Sequence, residues 1–336
     1  MIEKYYDGAI EQVAAGLGTV EKNYLLVRYS GQFSVENLND TKQLEKNEDI
    51  FVQVHEFETG EITCAYEPYL TMICDGFRRY MTGTFEEFME TCDVYYLHRP
   101  VLLGYFNQDN TGREEIILLD EVAYEQERML AALERMLCAI ADRHPVLFVL
   151  NRFQLASKST MQLTARFLKC ENCNIGLVLG VSDIQAMPEF LVPDWEMLYE
   201  TLDDGSKIYH IGNSGRKKEE TIDDEKYVDY GSEKVYRKLQ NMVEFLDFDQ
   251  AAYYLETIER KIKFDNLLVD DAARFRMWLL FVKVSILRQD IPKALEICED
   301  LEKIHLAGKE EECAYEQDYL IATAYMYQGK LKEALE

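Results

Sequence analysis

No apolar run in the chain approaches the roughly 20 residues that a helix needs to cross a bilayer. The first residues, MIEKYYDGAIEQ, carry acids where a secretory leader needs an apolar stretch. A spanning helix and a cleaved signal are both unexpected, and the expected location is cytoplasmic. Positive charge is scarce: 36 lysines and arginines stand against 62 aspartates and glutamates, a net charge of −26. So acidic a surface repels phosphate backbones and anionic lipid, which argues against direct nucleic-acid or membrane binding. The one basic run, Arg216-Lys217-Lys218, is followed at once by Glu219-Glu220. The five histidines (His55, His98, His144, His210, His305) are dispersed and form no HExxH, so no metal centre is expected. Neither GK[ST] nor GxSxG occurs, which removes the usual phosphate-binding loop and the strained-turn serine nucleophile.

Eight cysteines lie at irregular spacing in a chain without a leader, which fits reduced thiols better than a disulfide framework. The single CxxC, Cys170 to Cys173, has no second pair to complete a zinc site, and it falls after a helix rather than at the start of one. Asp120-Glu121 and Asp203-Asp204 are adjacent acids of the kind that loops hold in water. What the chain does have is material for a core: 48% of residues are hydrophobic and 12% aromatic, so it is expected to fold.

Up to about residue 212, short apolar runs alternate with amphipathic stretches, the pattern of an α/β domain with a parallel sheet. Strands are expected at Tyr24–Tyr29, Ile50–Val54, Val146–Leu150, Ile175–Val181 and, more weakly, Lys207–Ile211. The third and fourth are continuously apolar, as strands buried on both faces are. Between Glu125 and Ile140, Met129, Leu130, Leu133, Met136 and Leu137 recur at helical spacing. Residues 213–230 are polar and of mixed charge and read as a linker. From Gly231 to Glu336 only amphipathic helices are expected.

Those helices repeat. Phe248-Asp-Gln-Ala251, Ile291-Pro-Lys-Ala294 and Leu331-Lys-Glu-Ala334 share an apolar residue three before an alanine. The small side chain lets the second helix of a pair approach the first closely. Tyr325-Met-Tyr327-Gln-Gly329-Lys-Leu331-Lys-Glu-Ala334-Leu335 resembles a tetratricopeptide repeat, although the alanines are spaced wider than that family's ~34-residue period. The resemblance implies a concave groove for protein partners, and Tyr253, Tyr254, Tyr325 and Tyr327 are the candidate groove residues. The few residues after Gly329 suggest that the chain is the N-terminal part of a longer protein.

Pro145 to Leu163 (PVLFVLNRFQLASKSTMQL) carries a second resemblance. It is similar to the Walker B strand and following helix of the signal-transduction ATPases with numerous domains, a P-loop NTPase family of the AAA type found in bacterial regulators. The similarity extends from about Tyr24 to Gly212. In that family the strand ends in two acids: the first holds Mg²⁺ and the second polarises the attacking water. Asn151 and Arg152 stand at those positions here. The family's next His and Asp are matched by Gln154 and Ser157. A neutral amide supplies no charge to a divalent ion, and a guanidinium cannot act as a general base. The phosphate loop is expected after the first strand, where only Gly31 and Ser34 match it and no lysine follows.

The expectation is therefore a degenerate P-loop-NTPase-like α/β domain (residues 1–212), a linker (213–230) and tetratricopeptide-like repeats (231–336). It has no catalytic residues, no cofactor and no metal. As a regulatory scaffold it would bind protein partners through the repeats, and it has scope to form a homo-oligomer. The alternative is a switch that holds ATP or GTP without conventional motifs and controls an output module such as a diguanylate cyclase or a helix-turn-helix. That output module and the signal belong to the resemblance, not to these residues.

Overall fold

The computed structural model describes residues 2–17, 24–29, 35, 49–58, 60–109, 121–170, 174–182, 187–203, 207–211, 229–304 and 310–335. Gly31, Ser34, Cys173, Arg216-Lys217-Lys218 and nearly all of the expected linker lie outside them. The chain divides into two compact units, Met1–Arg113 with Glu127–Tyr227, and Glu114–Gln126 with Val228–Glu336. Among the described residues no helix is long and apolar enough to cross a membrane.

The first unit is an α/β domain built on a five-stranded sheet. Its strands are β1 (Tyr24–Tyr29), β2 (Phe51–Glu56), β3 (Val146–Asn151), β4 (Ile175–Ser182) and β5 (Lys207–Ile211), in the order β2-β3-β4-β1-β5. Every neighbouring pair runs parallel. β3 and β4 are buried along their whole length, as their unbroken apolar sequences require, while β2 at the edge is only half-buried beyond Phe51.

The two sheet faces are covered by different helices, and alternate residues of β3 show how. Leu147 and Val149 join the cluster that holds Ile10 and Val13 of α1 (Ile2–Gly16). Phe148, between them, meets Tyr69 of α2 (Tyr69–Tyr80) edge-on, with ring centroids 4.7 Å apart. Tyr69 also touches Phe167 of α6 (Lys158–Lys169), so α2 and α6 lie on the face opposite α1. The other helices of this unit are α3 (Phe85–Thr91), α4 (Arg99–Asn107), α5 (Val122–Ala141), which belongs to it from Glu127 onward, and α7 (Val192–Asp203). α2 to α4, inserted between β2 and β3, were not foreseen in the sequence. α1 packs on β4, and the two glycines of that strand make room for its side chains. A Cβ on Gly176 would come within 2.8 Å of Val13, and one on Gly180 within 1.9 Å of the Tyr6 hydroxyl.

The second unit is helical: α8 (Glu233–Glu244), α9 (Phe248–Phe264), α10 (Asp271–Leu287), α11 (Ile291–Leu301) and α12 (Glu310–Tyr327). α10 packs on all four others, α8 on α9, and α11 on α12. The repeated sequence pattern returns as a repeated turn. Leu246, Gln289 and Gly329 have φ of 66°, 63° and 78°, each two residues before the apolar residue of the pattern. In each turn the next N–H reaches five residues back: Asp247 to Met242 O (2.7 Å), Asp290 to Ser285 O (2.8 Å) and Lys330 to Tyr325 O (2.9 Å). This is the left-handed helix ending that satisfies carbonyls left without partners in the last turn. Ala251 and Ala294 are fully buried, which leaves room for the close approach that the small side chain permits.

Candidate functional site

In an open parallel sheet, ligands are expected outside the carboxyl ends of the strands, where neighbouring connections leave in opposite directions. Here the chain leaves β1 for the far edge at β2, then returns through β3 and β4 before passing β1 to reach β5. The reversal sets the carboxyl ends of β1, β3 and β4 together. Register aligns Tyr29 with Ser182 and Glu56 with Asn151, so these four end residues bound one region.

Asn151, the position where the resemblance requires a magnesium-holding acid, is fully buried. Its Oδ1 accepts hydrogen bonds from the Tyr29 hydroxyl at 2.7 Å and the Tyr6 hydroxyl at 3.3 Å. Tyr6 reaches it from α1 over Gly180, where a Cβ would also lie 2.6 Å from Asn151 Oδ1. Burial pushes the Tyr29 phenol up to about 12, against a partial offset from Arg152 and the bond to Asn151. Tyr6 rises well above the ordinary tyrosine value, first through burial and then through the proximity of Tyr29 and Glu56. Both therefore remain neutral donors around neutrality, and the amide answers them as an acceptor.

Arg152, where the resemblance requires the water-polarising acid, stands in the left-handed region with φ 52° and ψ 42°. That conformation is uncommon for a residue with a side chain and concentrates at functional or over-determined positions. Its Nη2 lies 3.3 Å from Glu56 Oε1, with both side chains largely shielded from water. Its charge also works against the burial that raises the Tyr29 phenol. Glu56 Oε2 accepts the backbone N–H of Val35 at 3.1 Å. A loop N–H and an arginine are the donors an oxyanion would use, and both are turned onto an internal carboxylate.

The next two matched positions carry local structure. Gln154 clamps the end of β4 through its amide: Nε2 donates to Ser182 O at 3.1 Å and Oε1 accepts Ser182 N–H at 3.3 Å. Ser157 caps α6, its hydroxyl accepting the Thr160 N–H at 3.2 Å. Both residues are buried and hydrogen-bonded.

The candidate groove tyrosines fall on two helices. Tyr253 and Tyr254 are half-buried on α9 with ring centroids 5.4 Å apart, and Tyr325 and Tyr327 lie near the end of α12. α9 packs on α8 and α10, and α12 on α10 and α11. Lys330 sits 5.7 Å from the centre of the Tyr325 ring. On α8 and α10, Arg276 lies 5.0 Å from the Tyr236 ring and pairs with Glu233 at 2.8 Å.

Among the described residues no group of three or more His, Cys, Asp or Glu is placed to hold a metal ion. The histidines are separate: His144 stacks on Tyr80 at 4.1 Å and His98 is buried near Tyr95. Asp204 and Asp120 of the adjacent acid pairs lie outside the described residues. Tyr6, Tyr29 and Glu56 were not singled out in the sequence. Tyr29 ends an expected strand and was legible as a carboxyl-end residue, whereas Glu56 lies two residues past the end expected for the second strand and Tyr6 had no signal. No protein-family model matches the chain, and no curated protein or solved structure is found similar to it.

Proposed function

We propose that the chain is a regulatory scaffold that binds protein partners through tetratricopeptide-like helices, alongside an ATPase-like α/β unit that performs no hydrolysis. One observation carries the second half of this reading. The place a magnesium-bound nucleotide would take at the end of β3 is filled by Asn151 with Tyr6 and Tyr29, and bordered by the Arg152–Glu56 pair. No carboxylate stands at Asn151 to attract Mg²⁺, and Arg152 cannot take a proton from water. The strand order, with β1 inside the sheet between β4 and β5, is compatible with a P-loop-like arrangement. The three identical left-handed turns support helical repeats, whose stacked pairs present an extended surface for peptides or domains.

One preparation tests both halves. Fluorescent ATP and GTP, titrated to about 1 mM with and without Mg²⁺, are expected to give no saturable signal, because about 1 mM marks the edge of specific affinity. Peptides selected from a displayed library on the same protein are expected to lose roughly tenfold or more in affinity on Tyr253→Ala with Tyr254→Ala. Micromolar, Mg²⁺-dependent nucleotide binding sinks the scaffold reading and favours the nucleotide switch.

A further inference from the structure

Val35, Glu56 and Arg152 come from separate stretches of chain and meet at the carboxyl ends of β2 and β3. Each oxygen of the Glu56 carboxylate has its own donor: Oε1 lies 3.3 Å from Arg152 Nη2, and Oε2 accepts the Val35 N–H at 3.1 Å. A guanidinium and a backbone N–H spread over two oxygens form the arrangement by which proteins hold a bound oxyanion. The backbone beside Glu56 is pinned, since the Phe57 N–H donates to Asn151 O at 3.1 Å. The carboxylate therefore reaches its donors by side-chain rotation, and it can leave them without disturbing the sheet. The pair is shielded but not sealed: the Arg152 side chain is 23% exposed and that of Glu56 15%. A partly buried ion pair is weak evidence for stability, because desolvating both charges offsets their attraction. Arg152 also carries the cost of a left-handed backbone. Stability is thus a poor reason for the three groups to converge here, at the place where open parallel sheets hold ligands.

We propose that Arg152 and the Val35 N–H form an oxyanion-binding site whose resident occupant is Glu56, a carboxylate of the chain itself that an external phosphate or carboxylate must displace. The proposal rests on the reading above in one respect, that no magnesium-bound nucleotide is held at this end of the sheet. Tyr6, Tyr29 and Asn151 are buried and bonded to one another, so the guanidinium is the charge that an anion meets. In a chain of net charge −26 a free anion is repelled at long range. The internal carboxylate, tethered beside its donors, competes at a high effective concentration. The site is accordingly closed to ordinary anions until the Glu56 side chain is drawn away.

Thermal unfolding of the full chain in phosphate, acetate or chloride at equal ionic strength tests this. Glu56→Gln keeps the size of the side chain but offers an oxygen to only one donor and turns an amide NH₂ towards the other. Phosphate or acetate is expected to stabilise it relative to chloride, saturably, with half of the effect at about 1 to 10 mM. The unsubstituted chain is expected to need at least about tenfold more of either anion. Adding Arg152→Met to Glu56→Gln should abolish the response, which separates binding from the general stabilisation by excluded salts. Glu56→Asp, one methylene short of spanning both donors, is expected to respond in the same sense, and it serves where Glu56→Gln unfolds too early to read. A response to phosphate alone or to acetate alone supports the site and names its ligand class. Indifference of both Glu56 variants to both anions, a response that survives Arg152→Met, or an unsubstituted chain as responsive as Glu56→Gln would each overturn the proposal. The scaffold reading falls on nucleotide binding by the unsubstituted chain and this proposal on the anion response, so the two fail separately.

Discussion

Gly180 shows how much one missing methyl group decides. A glycine inside a strand costs about 0.5 to 1 kcal/mol relative to alanine, because its backbone loses more freedom on folding. Here a Cβ would sit 1.9 Å from the Tyr6 hydroxyl and 2.6 Å from Asn151 Oδ1, distances no side chain tolerates. Steric overlap outweighs the gain in backbone entropy. Gly180→Ala is therefore expected to destabilise the first unit by about 1 to 3 kcal/mol or more, read as a lowered urea midpoint with unchanged slope. Adding Tyr6→Ala should recover part of that loss, since the two sites share one volume. Strict additivity of the two substitutions would show that Tyr6 does not occupy this place. Tyr6→Phe removes one hydrogen bond and leaves the Tyr29 donor in position, so it should cost only about 0.5 to 1.5 kcal/mol.

Between helices of the second unit, packing is supplemented by one concentrated ion-pair network. Glu259 of α9 is buried, and it receives Lys263 from its own helix at 2.7 Å and Lys293 of α11 at 2.9 Å. Hydrogen bonds to Glu259 raise the Lys293 ammonium against the opposing effect of burial, and Lys263 is raised chiefly by the same carboxylate. Lysines at the edge of such a network contribute little on their own, because water screens them. A buried acid bonded to two cations is different: its removal takes away the most shielded partner of both lysines and leaves them only the more exposed Glu296 and Asp300. Glu259→Gln is expected to destabilise the helical unit by about 1 to 3 kcal/mol, whereas Glu296→Gln, on an exposed side chain of the same network, should cost less than about 1 kcal/mol. Thermal melts followed by helical circular dichroism would distinguish them, and equal losses would remove the burial argument.

At the scale of the molecule, buried neutral acids among the described residues contribute to the response to base. Burial lifts the phenol of Tyr105 to about 12 from an ordinary value of 10.0, as it does that of Tyr29. It lifts the thiols of Cys74 to about 12 and Cys92 to about 11, from 9.0. The folded state holds these protons more tightly than the unfolded chain. Their contribution is complete below the ordinary values and is lost as pH rises through the raised ones. Urea unfolding is accordingly expected to show constant stability up to about pH 9 from these groups and a progressive fall towards about pH 12. Tyr29→Phe should make that fall shallower. Stability that rises with pH in this window would contradict the burial of these groups. Among the described groups the helical unit holds Cys298, raised to about 11, and Tyr236, raised by burial, against a larger set in the first unit, so its alkaline slope should be the smaller.

Local chemistry in the sequence was enough to determine the α/β unit with its continuously apolar β3 and β4, the all-helical second unit, and the absence of a carboxylate at Asn151 and Arg152. Periodicity, β-branched runs and charge are properties of neighbours along the chain, and so they are legible in order. Two of the three recurring alanine patterns open helices, Phe248 to Ala251 in α9 and Ile291 to Ala294 in α11. Tertiary structure alone decided what surrounds Asn151 and Arg152. Tyr6 and Asn151 lie far apart in the chain, and their hydrogen bond depends on the parallel sheet bringing α1 over Gly180. Glu56 meets Arg152 only because β2 and β3 are neighbours in register.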